Sequence, residues 1–168
     1  MKNIYLVGFM ATGKTSVGLA LAKRLNKEFL DLDDLIEEKT GKRINEIFKE
    51  KGEPYFRKLE KEALKEVAQK KDLVIGCGGG LVVDPGNLSL LKETGTVICL
   101  SAAVDKILFR SKGTDQRPLL NVSDPKVKVI ELLVKRGPFY KKAHFTIDTT
   151  DLTVEQVVDK IIQLNKDE

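Results

Sequence analysis

The sequence Gly8-Phe9-Met10-Ala11-Thr12-Gly13-Lys14-Thr15 lies between an apolar segment and an amphipathic one, and it decides how the chain folds. It fits the pattern G-x-x-x-x-G-K-[ST] at every fixed position. Such a loop curls so that successive backbone N–H groups point at phosphate oxygens, and the helix that follows turns its positive end toward the anion. The segment Asn3–Val7 is therefore predicted to be the first strand, and Lys14–Leu25 the helix after the loop.

The side chains of this loop indicate which phosphates it holds. Lys14 can reach the β- and γ-phosphates of a nucleoside triphosphate, and the hydroxyl of Thr15 can bind Mg²⁺. Gly8 and Gly13 allow backbone angles and close approaches that a Cβ would prevent. We therefore expect a bound nucleotide with Mg²⁺ as the cofactor. The expected nucleotide contacts in this segment are Ala11, Thr12, Gly13, Lys14, Thr15 and Ser16.

The choice between ATP and GTP depends on a second sequence. GTPases of this class read guanine through an Asn-Lys-x-Asp loop after a late strand. Here Asn165-Lys166-Asp167 lies in the last residues of the sequence and lacks that spacing. The sequence therefore favours ATP and a kinase, and a GTPase-type switch is the disfavoured alternative from a different class.

Strand and helix patterns alternate along the chain, which indicates an α/β fold with a parallel sheet covered by helices on both faces. Three helices in succession interrupt the alternation and predict an inserted lobe. Further strands are predicted over residues 28–32, 72–77, 96–100 and 144–147, and the inserted helices over 33–40, 44–51 and 54–69. Later helices are predicted from Asp84-Pro85, over 104–111, from Asp124-Pro125 to about 142, and after a capping box at Thr153 and Gln156.

The 168 residues suit one kinase domain. Its expected parts are a core over residues 1–31, 61–110 and 124–168, a substrate-binding lobe over about 32–60, and a lid over about 111–123. The lid is expected because residues 112–123 are polar, contain Gly113 and Pro118, and connect two predicted helices.

The composition argues against several other classes of protein. No apolar run approaches the roughly 18 residues of a membrane span, and the N-terminus reads directly as a strand, so we expect a cytoplasmic protein without a membrane partner. The net charge of +4 is spread among acidic residues, which argues against nucleic-acid binding. Cys77 and Cys99 lack metal-site spacing and are predicted to be buried thiols. We favour a monomer.

The predicted second strand ends in the acidic sequence Asp31-Leu32-Asp33-Asp34. Residues two apart in a strand share a face, so Asp31 and Asp33 are both predicted to face the site at the carboxyl end of the sheet. One carboxylate would join the Mg²⁺ shell, and the other would orient or deprotonate a hydroxyl acceptor. Asp34 is predicted to start the next helix. The alternative is that all three are solvated helix-cap acids.

Arginine is scarce, with six residues against 23 lysines, so each position can be examined. A guanidinium offers the planar fork that suits a carboxylate or a phosphate. Arg57 and Arg136 flank apolar anchors, Arg117 lies in the predicted lid, and Arg110 is ambiguous from its surroundings. The third predicted strand runs into Gly78-Gly79-Gly80, where a ligand can lie against bare backbone.

These motifs, in this order, resemble shikimate kinase over essentially the whole chain. The resemblance rests on the phosphate loop, Asp31-x-Asp33, Phe56-Arg57-x-x-Glu60, Gly78-Gly79-Gly80, Arg117-Pro118-Leu119-Leu120 and Arg136-x-Pro138-x-Tyr140. The loop alone is widespread, whereas the combination is specific to the family. It implies a nucleoside-monophosphate-kinase-like fold with a five-stranded parallel sheet. It also implies transfer of the γ-phosphate of ATP to the 3-hydroxyl of shikimate, on the route to chorismate and the aromatic amino acids.

The resemblance also implies roles for individual residues. Arg117 would meet ATP from the lid, and Arg110 would lie against adenine. Thr15 would bind Mg²⁺ directly and Asp31 through water. Asp33 would either remove the hydroxyl proton or only position the hydroxyl. The residues implied for shikimate binding are Asp33, Arg57, Gly78, Gly79, Gly80 and Arg136, and those for catalysis are Lys14, Asp33 and Arg117.

The chain departs from the family pattern at two places. Several members carry a basic or Gln side chain near adenine in the loop after the last strand, where this chain has Asp148-Thr149-Thr150-Asp151-Leu152. Adenine contacts from this loop would therefore be through backbone. Position 77, often Ser or Thr in the family, is Cys77. Gluconate kinase, which has a related phosphate loop but a different acceptor lobe, is the alternative among small-molecule kinases.

Overall fold

A computed structural model describes residues 2–112 and 118–165 of the chain. Its centre is a five-stranded, all-parallel sheet in the order β2-β3-β1-β4-β5. The strands are β1 (Asn3–Val7), β2 (Glu28–Asp31), β3 (Leu73–Gly76), β4 (Gly95–Ser101) and β5 (Phe145–Asp148). The helices in these ranges are α1 (Lys14–Leu25), α2 (Leu32–Thr40), α3 (Ile44–Lys51), α4 (Glu53–Val67), α5 (Pro85–Thr94), α6 (Val104–Ser111), α7 (Pro125–Tyr140) and α8 (Val154–Leu164). Because the strands are parallel, their carboxyl ends share one edge of the sheet.

Alternate residues of the central strand β1 pack into two separate layers. Ile4 and Leu6 lie in an apolar cluster with residues of α1 and α8. Tyr5 and Val7 lie in a second cluster with residues of α2 to α7. Every residue of β1 is buried, as expected for a strand covered on both faces. The predicted three-layer α/β/α architecture is therefore confirmed.

Most predicted elements lie where the sequence placed them. Each predicted helix cap at Asp84, Asp124 and Thr153 is confirmed, because the side chain accepts a hydrogen bond from a backbone N–H of the first turn. The other element ends differ from the predicted ones by one or two residues. The elements with the predicted bounds are Asn3–Val7, Lys14–Leu25, Ile44–Lys51 and Val104–Ser111.

The end of β2 corrects one step of the sequence argument. Oδ1 of Asp31 accepts hydrogen bonds from the backbone N–H of Asp33 at 2.9 Å and of Asp34 at 3.3 Å. This cap ends the strand and starts α2 at Leu32, ahead of Asp34. The prediction that Asp31 and Asp33 share one face of a strand is therefore wrong, since Asp33 lies in the first turn of a helix.

The predicted run of helices between the second and third strands is present as α2, α3 and α4, which pack against one another. The rings of Phe48 and Phe56 lie 4.8 Å apart between α3 and α4. In the predicted lid, residues 113–117 lie outside the described residues. Pro118–Leu120 forms a short 3₁₀ turn, and Leu119 and Leu120 pack against the apolar cluster.

In the parts of the chain that the structure describes, no helix has both the length and the apolar character needed to cross a membrane.

Candidate active site

The loop between β1 and α1 has the backbone geometry that its motif predicts. Gly8 has φ 131° and Gly13 has φ 95°, angles that favour glycine. A Cβ at Gly8 would overlap the carbonyl oxygen of Leu100 on the neighbouring strand β4. Ala11 also lies in the left-handed region, with φ 60°. The side chain of Thr12 is buried and donates to Phe9 O at 2.7 Å, so only its backbone can face a phosphate.

Lys14 begins α1 and turns back over the loop. Its Nζ donates to the carbonyl oxygens of Gly8 at 2.9 Å and Phe9 at 2.8 Å. Burial lowers the pKa of Lys14 to about 8, although the charges of Asp33 and Asp31 act to raise it. The ammonium is therefore held among acceptors beside the two acidic residues, where a phosphate oxygen can replace the carbonyls.

Two oxygen-bearing side chains meet next to Lys14. The hydroxyl of Thr15 donates to Oδ2 of Asp31 at 3.3 Å. Burial raises the pKa of Asp31, and the nearby charge of Asp34 adds to this effect. Hydroxyl and carboxylate oxygens are suitable ligands for Mg²⁺, which is bound through few protein groups together with water and substrate phosphates. The described residues include no cluster of three or more His, Cys, Asp or Glu that could hold a metal ion.

Asp33 presents an unsatisfied carboxylate oxygen to the site. Its Oδ1 is buried and accepts no hydrogen bond among the described residues. Burial, followed by the charges of Asp31 and Glu60, raises the pKa of Asp33 to about 7. Buried polar atoms are nearly always hydrogen-bonded, so an unpartnered one that lines a cavity is a candidate contact for a ligand. Asp33 is thus ready to accept a hydrogen bond or a proton near neutral pH.

Arg57 lies on α4 between two acidic residues of the same helix. Its Nη1 pairs with Oε2 of Glu60 at 2.5 Å, and its Nη2 pairs with Oε1 of Glu53 at 3.0 Å. Glu60 is 2% exposed, and its second oxygen, Oε1, has no partner in the described structure. Glu60 belongs to the motif Phe56-Arg57-x-x-Glu60, but no role for it was predicted from the sequence. The spacing of three residues from Arg57 was the signal, because such residues share a face of a helix.

The three glycines after β3 leave room for these charged groups. A Cβ at Gly78 would overlap Oε1 of Glu60, and one at Gly80 would lie 2.5 Å from Nη2 of Arg57. A Cβ at Gly79 would lie 3.2 Å from Nη1 of Arg136. The glycine run therefore serves the packing of buried charges as well as any ligand, which the sequence argument did not foresee.

Arg136 approaches the same pocket from α7. It is 4% exposed, and its guanidinium lies 5.8 Å from the centre of the Phe9 ring. Tyr140, one turn further along α7, donates its hydroxyl to Gly79 O at 2.5 Å. Burial raises the pKa of Tyr140 to about 12, so this hydroxyl stays protonated. Helix α7 is thereby fixed to the glycine run with its arginine facing Arg57 across the pocket.

The site has two adjoining cavities that meet at Asp33. One, of about 390 Å³, follows the phosphate loop and reaches Thr15, Asp31 and Arg110. The other, of about 90 Å³, is lined by charged groups and the glycine run. Asp33 lines both. The charged residues of the smaller cavity are Asp33, Arg57, Glu60 and Arg136. A groove of about 630 Å³ between β5 and α8 is larger. Its described lining contains none of the side chains predicted for the site, but it includes Asp148, Thr150, Asp151 and Leu152 of the loop expected to contact adenine through backbone.

The structure therefore brings together the predicted site residues that it describes. Arg110 lines the larger cavity and donates to Ala11 O at 3.2 Å. Arg117, the predicted lid arginine, lies outside the described residues. Cys77 lines the larger cavity and is buried, as is Cys99, so both predictions of buried thiols are confirmed.

Comparison with known proteins agrees with this geometry. The family model described as shikimate kinase matches residues 10–166. A shikimate kinase of Thermodesulfovibrio yellowstonii is 50% identical over 163 residues, which cover 97% of this chain and 94% of the relative. One from Caldanaerobacter subterraneus is 46% identical over 97% of this chain and 95% of that relative.

Solved structures give the same result. The shikimate kinase of Acinetobacter baumannii in complex with shikimate superposes with a TM-score of 0.97 and 42% identity, over 99% of this chain and 94% of that one. A sugar kinase from Janibacter, at 13% identity and a TM-score of 0.63, shares the fold alone. From the family match, the identities and this superposition together, the chain belongs to the shikimate kinase family.

Proposed function

We propose that this protein transfers the γ-phosphate of MgATP to the 3-hydroxyl of shikimate and releases shikimate 3-phosphate and ADP. The reaction is a step toward chorismate and the aromatic amino acids. The observation that carries the proposal is the unpartnered Oδ1 of Asp33, which lines both the cavity along the phosphate loop and a small cavity that contains two arginines. A relative of 42% identity has been solved in complex with shikimate.

The phosphate loop would hold the donor. Backbone N–H groups of residues 11–16 would bind the phosphate oxygens, and Lys14 would exchange the carbonyls of Gly8 and Phe9 for the β- and γ-phosphates. Thr15 and Asp31 supply the oxygens suited to Mg²⁺, with Asp31 acting through water. When bound, the ion would neutralise phosphate charge. Arg110, which lines the same cavity, would lie against adenine.

The smaller cavity would hold the acceptor. Shikimate carries one carboxylate and three hydroxyls. Arg57 and Arg136 face the cavity with planar forks that suit the carboxylate. Asp33 would accept from the hydroxyls, and the glycine run would let the ring approach the backbone. Glu60 would keep Arg57 in place through the 2.5 Å ion pair.

Asp33 would also take the proton in the transfer step. The 3-hydroxyl oxygen attacks the γ-phosphorus, the bond from that phosphorus to the β–γ bridging oxygen breaks, and ADP leaves with the bonding electrons. The hydroxyl proton passes to Asp33. A pKa of about 7 suits a general base that works near neutral pH. Lys14 stabilises the charge that develops on the transferring group.

Further parts of the proposal concern the whole protein. Residues of about 32–60 would form the substrate-binding lobe, and residues of about 111–123 a lid that brings Arg117 to the phosphates and excludes water. We expect the protein to act as a monomer in the cytoplasm.

A coupled ADP-release assay across shikimate, quinate, gluconate and AMP tests the proposal. ADP release should require shikimate and Mg²⁺ together, and the other acceptors should give little. Turnover with gluconate or AMP and none with shikimate would refute it, and gluconate turnover would support the gluconate-kinase alternative instead. ATP hydrolysis with no dependence on any acceptor would contradict the kinase assignment as a whole.

A further inference from the structure

A buried threonine connects the loop after β5 to the phosphate-binding loop. Thr149 directly follows β5 and is 3% exposed. Its backbone N–H donates to Ser101 O, at the end of β4, at 2.8 Å. Thr149 is thereby fixed to the carboxyl edge of the sheet, at the end where the phosphate loop lies.

The side chain of Thr149 reaches a residue 137 positions away in the sequence. Its Oγ1 lies 3.1 Å from Thr12 O and 3.0 Å from Ser101 O, and a hydroxyl has a single proton to donate. Ser101 O already accepts the backbone N–H of Thr149. Because a carbonyl oxygen has two lone pairs, the one hydroxyl proton is shared between Ser101 O and the carbonyl of Thr12, which belongs to the phosphate loop.

Arg110 completes the connection from α6. Its guanidinium donates to Oγ1 of Thr149 at 3.3 Å and to the carbonyl oxygen of Thr149 at 3.2 Å. The same guanidinium donates to Ala11 O at 3.2 Å. Two successive carbonyls of the phosphate loop, those of Ala11 and Thr12, are therefore held through one threonine and the arginine that it orients.

These two carbonyls lie between Ala11 and Gly13, the two residues of this part of the loop that have positive φ angles. Ala11 has φ 60°, a conformation in which the Cβ of an L-residue meets unfavourable contacts. Gly13 has φ 95° and avoids that cost because it lacks a Cβ. A non-glycine residue keeps such a conformation only where its surroundings hold it there. The hydrogen bonds to Ala11 O and Thr12 O are such a constraint.

We propose that Thr149 is a positioning residue for the nucleotide phosphates. Its hydroxyl and carbonyl hold the left-handed turn at Ala11 and so keep the N–H groups of the loop directed at the phosphates. The inference rests on the proposed function in one respect, which is that this loop binds the phosphates of ATP. The proposal gives a role to a residue outside the phosphate-loop motif. Thr149 belongs to the segment 148–152, which has no basic or Gln side chain for adenine.

Isosteric substitution tests the hydroxyl. Thr149→Val keeps the shape of the side chain and removes only the hydrogen bonds of the hydroxyl. Thr149→Ser keeps the hydroxyl. Thr149→Val should weaken ADP binding in calorimetry, and raise the KM for ATP, by about tenfold, the effect of one lost hydrogen bond. The KM for shikimate should stay within about twofold, and Thr149→Ser should restore nucleotide binding. If Thr149→Val binds ADP as tightly as wild type, the proposal is wrong.

A threonine at the opposite edge of the sheet provides a control. Thr94 directly precedes β4, and its Oγ1 donates to Leu90 O at 2.7 Å and lies 2.8 Å from the hydroxyl of Tyr5. Thr94→Val should bind ADP within about twofold of wild type. An equal loss in Thr94→Val and Thr149→Val would show a general effect of losing a threonine hydroxyl and would overturn the proposal.

A glycine at position 11 tests the proposed cause. In an Ala11→Gly background the turn needs less support, so Thr149→Val should lose less than about threefold in ADP affinity. A full tenfold loss in both backgrounds would overturn the link to Ala11. ADP binding is measured without shikimate, so these results stand apart from the proposed function, whose failure would appear as wild-type enzyme that binds ADP but transfers nothing to shikimate.

Discussion

The substitution Gly80→Ala tests how the acceptor cavity is built. A Cβ at Gly80 would lie 2.5 Å from Nη2, 2.6 Å from Cζ and 2.8 Å from Nη1 of Arg57. The backbone at Gly80 has φ −97° and ψ −4°, which alanine also adopts, so no backbone strain is added. The guanidinium of Arg57 must therefore move away from the glycine run.

The ion pairs of Arg57 set the size of the effect. The guanidinium is held by Glu60 at 2.5 Å and by Glu53 at 3.0 Å, so any displacement disturbs both contacts and the fork that faces the ligand. A hydrogen bond to a charged group contributes about 1.5–3 kcal/mol, and solvent access to part of Arg57 reduces that range. We expect shikimate binding to weaken by about 1–2 kcal/mol, or about 5- to 30-fold in Kd.

Calorimetry with shikimate and the coupled ADP-release assay measure this effect. The KM for ATP should not change, because the phosphate loop is untouched. Gly137→Ala is the matched control, since a Cβ there meets no atom of the described residues within 4 Å although it adjoins Arg136. A shikimate Kd within twofold of wild type in Gly80→Ala, or a parallel loss of ATP affinity, would refute this account of the cavity.

Three further substitutions follow from the same geometry. Asp33→Asn should lower kcat about 10²-fold or more, because Asn cannot take the proton, and retention of a tenth of kcat would leave Asp33 a positioning role only. The folded-state pKa of Asp33, about 7, lies above its ordinary 3.8, so ionisation costs stability as pH rises through this window. Asp33→Asn should therefore raise the free energy of unfolding by roughly 2 kcal/mol at pH 8 and leave it unchanged below pH 4, as thermal unfolding at both pH values would show. Arg136→Lys should raise the Kd for shikimate about 10- to 100-fold in calorimetry and leave ATP binding intact, because a point charge does not replace a fork. Arg117→Ala should reduce kcat on the order of 10²–10³-fold with a smaller change in KM, and normal turnover in steady-state kinetics would remove Arg117 from the mechanism.

The fold was predictable because local patterns and the global architecture agree. The apolar segment Asn3–Val7, the glycine motif and the amphipathic helix Lys14–Leu25 specify a strand, loop and helix without reference to the rest of the chain. The end of β2 was not predictable in the same way, because Asp31 fits both a strand position and a helix cap. The two hydrogen bonds that its carboxylate accepts from backbone N–H groups show that Asp31 acts as the helix cap.

Site residues could be predicted from the sequence where the residue type alone indicates the chemistry. Lys14, Asp33 and Arg57 fall in that group, and they line two adjoining cavities. The support around them was not predictable. The close approach of Glu60 to Gly78 and the contact of Thr149 with the phosphate loop join residues far apart in the sequence, and composition and spacing do not reveal such contacts.

The first glycine of the phosphate motif has a consequence for how such sequences change over time. The carbonyl oxygen of Leu100 occupies the space that a Cβ at Gly8 would need, so the sheet itself excludes every larger residue there. A descendant that lost nucleotide binding would still be selected to keep Gly8 in order to fold, whereas Lys14 and Asp33 would be released from selection. In diverged members of such a lineage, the presence of Lys14 and Asp33 would therefore indicate retained catalysis. The presence of Gly8 would indicate only that the sheet still forms.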